Sequence, residues 1–89
     1  MKPILVTTKH RGVFAGLVPE DHDMNLREFP MTDAKMAIRW RTKKGLMELA
    51  HIGPNKQSLI SAPADIPMLF DVTAVFAITD EAWVAWQKA

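Results

Sequence analysis

Arg39-Trp40-Arg41-Thr42-Lys43-Lys44 places four cations within one short stretch. A guanidinium offers phosphate or carboxylate a planar fork, and a lysine adds a mobile point charge. From Met36 to Arg41 the chain alternates Met36, Ile38 and Trp40 with Ala37, Arg39 and Arg41. A period of two belongs to a strand with one face in a core and the other in water. The expectation is a strand over 36–41 that buries Met36, Ile38 and Trp40 and exposes both arginines. His10-Arg11-Gly12 is a second candidate for holding an anion, at a turn eased by glycine. The candidate partner-binding set is therefore Arg39, Arg41, Lys43, Lys44, Arg11 and His10. A polar turn without further role is the competing reading of 10–12.

Other chemistries find little support. There is no cysteine, hence no thiolate nucleophile, disulfide or zinc-thiolate site. His10, His22 and His51 share no ligand spacing. His22 among Glu20, Asp21 and Asp23 reads as part of a solvated acidic loop, and His51 as the end of a helix. Ser58 and Ser61 lack a nucleophile motif, and Lys44-Gly45-Leu46 is no phosphate loop. Asp21/Asp23 and Asp80/Glu81 fall in polar or capping contexts, without the burial that raises a carboxyl pKa. No catalytic centre, metal or cofactor is expected.

The net charge of +1 conceals an uneven distribution. Residues 1–34 carry −1, residues 35–56 carry +5, and residues 57–89 carry −3. The middle segment can attract anions although the whole chain is near neutral. Period two sets Trp40 opposite both arginines, which opposes base stacking. The acidic remainder opposes a long polyanion more than a small anionic ligand.

The elements that must position these cations are short. The chain of 89 residues, 48% apolar and 24% charged, is expected to form a single globular domain over 1–89. A chain this size buries roughly 60–65% of its unfolded surface, so its core is thin. Residues 4–8 and 12–18 read as strands and 25–29 as a weaker one. Thr32-Asp33 reads as a turn. Thr42 is the expected N-cap of a short helix through about His51, with a hairpin through Lys43-Lys44-Gly45 as the alternative. Residues 58–62 read as a short strand and 63–67 as a loop. Residues 68–78 form a long apolar run that Asp71 interrupts with a turn or bulge. Within it, 72–78 is apolar on both faces and suggests a central or barrel-closing strand. Thr79 caps a final helix over about 80–88, in which Trp83 and Trp86 share one face. That face either docks the helix or contacts a second copy in a homo-oligomer. The expected fold is α+β: a small antiparallel barrel or strongly bent sheet with a short internal helix and a C-terminal helix. The N-terminal apolar run is too short for a signal peptide, and no run approaches membrane-spanning length. A cytoplasmic location is expected.

Four blocks carry a resemblance. They are Val6-Thr7-Thr8-Lys9-His10-Arg11-Gly12-Val13-Phe14-Ala15-Gly16, residues 33–40, Gly45 to Gly53-Pro54, and Val72-Thr73-Ala74-Val75 with Thr79-Asp80-Glu81-Ala82-Trp83. Together they resemble a family of small phage and prophage proteins of uncharacterised function. The acidic loop 20–23 and Met47-Glu48 depart from that pattern. The resemblance implies a phage origin and supplies no catalytic residues. It implies a non-catalytic accessory protein of the host cytoplasm. The expected role is a counter-defence inhibitor that binds a host defence protein or sequesters an anionic nucleotide signal. A nucleic-acid-binding regulator using the same basic face is the alternative, and a minor structural or assembly protein the third reading.

Overall fold

In the computed structural model, residues 1–40 and 42–89 are described. The β-branched run Ile4-Leu5-Val6 lies in β1 (Lys2–Thr8), and β2 (Val13–Val18) returns beside it. Strand β3 (Phe29–Arg39) follows the acidic loop, and a turn leads to α1 (Leu46–His51). Then come β4 (Leu59–Ile60), β5 (Ala64–Leu69), β6 (Val72–Ala77) and α2 (Asp80–Lys88). All pairings are antiparallel, in the order β4-β3-β2-β1-β6. Strand β5 pairs the first half of β3 and β4 the second half, so the two lie along one edge of it. The architecture is thus an antiparallel sheet with two short helices. The sheet does not close, so the barrel expectation is corrected: among the described residues β6 pairs only with β1.

Each sheet face has its own core. Ile4 and Val6 point to one side, with Val18, Phe29, Met31, Ala34 and Val72. Leu5 points to the other, with Val13, Ala15, Ala37, Leu49, Ala50 and Trp86 beneath the helices. Three consecutive buried residues in β1 are the consequence. The strand apolar on both faces is therefore β1, and β6 lies at the sheet's edge, not at its centre as its composition suggested.

The helices are stapled to each other. Thr79 caps α2 as expected, its Oγ1 accepting from the Ala82 N–H at 3.0 Å. The same hydroxyl donates to the His51 carbonyl at 2.6 Å, at the end of α1. Trp86 is 0% exposed, and its Nε1 donates to the Leu49 carbonyl at 3.0 Å. Trp86 therefore docks the helix and is not available to a second copy. Lys35 closes the far end of α2, donating to the carbonyls of Trp86, Gln87 and Ala89 at 3.1, 3.1 and 2.9 Å. An ammonium at a helix C-terminus suits the dipole there.

Three expectations about elements are corrected. Residues 25–28 form no strand; the loop is instead pinned by His22, whose ring meets Phe29 at 4.6 Å and the Glu28 carbonyl at 2.9 Å. Thr32-Asp33 does not end a strand, because Asp33 takes φ 51 within β3 as a local irregularity and the strand continues. Residues 64–69 form a strand despite Pro67, since an edge strand can spare an N–H. Asp71 does make the expected turn, at φ 58.

Candidate functional site

Strand direction gathers the cations. The β1–β2 hairpin turns at residues 9–12, so Lys9, His10 and Arg11 sit at its tip, all exposed. Phe14 pairs Met36 in antiparallel register. Moving up β3 from Met36 to Arg39 therefore moves back along β2 towards Arg11, and the two arginines reach the same end of the sheet. Lys43 and Lys44 follow in the turn after β3, both exposed. Lys56 joins from the other side: it lines a shallow groove of ≈ 500 Å³ with Arg39, Gln57, Ser58 and Leu59. Arg41 lies outside the described residues.

Local chemistry holds these positions. The Thr8 N–H donates to the Gly12 carbonyl at 2.9 Å, and the Gly12 N–H to Thr8 Oγ1 at 3.0 Å. Closing so short a loop puts Arg11 at φ 64, the left-handed region that suits glycine or asparagine. Holding an arginine there costs on the order of 1 kcal/mol. The second turn is closed by Thr42, a buried residue whose Oγ1 donates to the Gly45 carbonyl at 2.6 Å. Gly45 at φ 73, ψ −148 occupies a conformation that a side chain would oppose. The helix reading of residues 46–51 holds, but Gly45 and not Thr42 stands at its cap.

Among the described residues these cations make no ion pair. Among the described residues the one ion pair joins the Met1 amino group to Glu20 at 3.6 Å, at the opposite end of the sheet. Asp80 and Glu81 also lie at that opposite end, after β6 has run past Ile4. Acidic residues thus gather at one end, with Lys2 among them, and most of the exposed cations at the other. Asp71 and Glu48 are acidic residues of the basic end, where the Asp71 carbonyl accepts from the Lys9 N–H and Glu48 Oε1 from the Lys44 N–H.

The expected burial pattern is corrected here. Arg39 is exposed and Trp40 half-buried, packed with Leu46 and Ile60 beneath the helices. Met36 and Ile38, however, are 37% and 56% exposed, and Ala37 is buried. Ala37 faces the helices, and the face bearing Met36 has lost its cover. The register also shifts between Ala37 and Arg39 against β4, setting Arg39 opposite Leu59, itself 49% exposed. The basic end is therefore not purely polar: aliphatic Leu59 stands beside Arg39, and Ile38 is exposed on the opposite face of the strand. Sequence reasoning missed both, together with Lys9 and Lys56. The charge count of 35–56 included Lys56, but only the β3–β4 pairing places it at the site. Among the described residues, no cluster of three or more histidine and acidic side chains could hold a metal ion.

The chain is a small α+β protein, an open antiparallel sheet with two short helices and exposed cations at one end. The chain belongs to a family known as a domain of unknown function, DUF6948, whose model matches residues 1–86. No curated protein and no solved structure matches it.

Proposed function

We propose that this is a non-catalytic binding protein that docks the acidic surface of another protein on the basic end of its sheet. The observation that carries the reading is the convergence of His10 and Arg11 with Arg39, Lys43 and Lys44, next to exposed Leu59. Arginine beside exposed aliphatic side chains is the composition of a protein interface, where apolar area supplies affinity and charge supplies steering. Arg41 belongs to the proposed set by its place in the sequence. Nucleic acid fits less well, because Trp40 is half-buried against the core beneath the helices and has less of its ring free for stacking. Occlusion of a host defence protein, a role suggested by the small size and the lack of an enzymatic motif, is the biological form we propose for this docking.

The test is a titration followed by backbone amide shifts, with three probes in turn. They are a short peptide of alternating glutamate and leucine, a DNA duplex, and a cyclic dinucleotide. The peptide should saturate and move the amides of residues 9–11, 38–40, 43–44 and 59. Tighter binding of the duplex, with a steep loss in salt, would favour a nucleic-acid regulator instead. Tight saturable binding of the dinucleotide alone would favour sequestration of a nucleotide signal. If no probe moves these amides, the reading fails.

A further inference from the structure

A cavity of ≈ 340 Å³ lies between β3, the chain before β5 and the last turn of α2. Ligand pockets run from roughly 300 to 1,000 Å³, so this one suits a small molecule. Trp83, Trp86 and Pro63 give it apolar walls, and Asp33, Lys35 and Gln87 line it with polar groups. Lys35 pairs Ala15 in the interior of β2, away from the cations at the strand ends.

An irregularity in β3 builds the polar side. Ala15 pairs Lys35 and Leu17 pairs Thr32, so β3 takes three steps where β2 takes two. Asp33 sits in that extra length at φ 51, a left-handed conformation that aspartate and asparagine accept better than most residues. Such bulges re-aim side chains and are over-represented beside active sites. The Asp33 N–H donates to Asp65 Oδ1 at 3.0 Å, which fixes the kink and brings a second carboxylate close.

The polar groups left unused favour a positively charged ligand. Among the described residues, no ion pair or hydrogen bond takes the Asp33 carboxylate, the Trp83 ring nitrogen or the Gln87 side chain. Lys35, in contrast, spends its three N–H donors on the carbonyls of Trp86, Gln87 and Ala89. Its charge is thereby set against the negative end of the helix dipole. Two carboxylates and a half-buried indole remain beside that one matched ammonium.

We propose that this cavity binds a small organic cation with a planar amidinium or guanidinium head on an apolar body. The head forks onto the Asp33 carboxylate, a bidentate geometry that a planar pair of N–H donors fits. The body lies against Pro63 and Trp83, whose indole face also attracts positive charge. An anion is repelled by the two carboxylates, and a neutral molecule gains no ion pair from Asp33. This site is separate from the basic end and does not depend on the function proposed for it.

Benzamidinium, benzamide and benzoate share a shape and differ in charge, and titrating the full chain with each tests the proposal. Benzamidinium should saturate in the millimolar range and move the Trp83 indole N–H and the backbone amides of Asp33 and Gln87. Benzamide and benzoate should bind more weakly by at least about threefold, the worth of an exposed ion pair. Asp33→Asn removes the charge and keeps a residue that tolerates φ 51, so the unfolding temperature should be unchanged. It should weaken benzamidinium by about three- to fivefold and leave benzamide as it was. The proposal is overturned if benzamidinium leaves these signals still, if benzamide matches it, or if folded Asp33→Asn binds it as the wild type does. Should Asp33→Asn fail to fold, the charge series on the wild type decides.

Discussion

The two halves of β3 share one strand and have opposite fates. In the first half Phe29, Met31 and Ala34 are buried under β5 and the acidic loop. In the second half Met36 and Ile38 are exposed although their residue types are as apolar. The difference lies in what covers them. Strand β5 ends its pairing at Ala34, and β4 adds only Leu59 and Ile60 beyond it. Burial is thus a property of neighbouring elements, and the bared half leads directly into the cationic turn. On the function we propose, the second half is the surface for a partner, whereas the first half is core.

The largest effect that could break this contrast is at Phe29. Phe29→Ala should cost about 3–5 kcal/mol, as large aromatic deletions in cores do. It should also release His22 from its ring contact and loosen the loop. Denaturant unfolding measures the loss. Ile38→Thr keeps the β-branched shape and should change stability by less than about 0.5 kcal/mol. Comparable losses at the two positions would mean that both halves are core.

Arg11→Gly sharpens the contrast between stability and function. Glycine accepts φ 64 without strain, so unfolding should show a gain of a few tenths to about 1 kcal/mol, the strain relief exceeding the added chain entropy. Binding of the acidic peptide should weaken in the same variant. A residue kept at a strained position for its charge predicts that opposition. Loss of stability would remove the argument from strain.

Much of the local structure was legible in the residues. Thr79 with Asp80 and Glu81 marked the start of α2, and Asp71 marked its turn, because caps and turns are local chemistry. The continuity of β3 was not legible, since Thr32-Asp33 looks like a turn and only pairing with β2 and β5 carries the strand through. The strand at 64–69 was hidden by Pro67 within it and Pro63 before it, and an edge tolerates the first. At the site, the run from Arg39 to Lys44 was visible as charge. Its meeting with His10 and Arg11 needed the β2–β3 register, and the exposure of Ile38 and Leu59 needed the shifted β3–β4 pairing. Period two tells that a strand has two faces; it does not tell which one another element will cover.

The central claim is that the basic end binds an acidic protein surface, and one pair of affinities tests it most directly. The dissociation constant of the alternating glutamate–leucine peptide is measured for the wild type and for Arg39→Glu combined with Lys43→Glu, alongside thermal unfolding. Both substituted residues are exposed and free of ion pairs among the described residues, so the unfolding temperature should be unchanged. The peptide should bind the double variant at least about tenfold more weakly, a loss of roughly 1.4 kcal/mol. Wild-type affinity in the folded double variant would contradict the account.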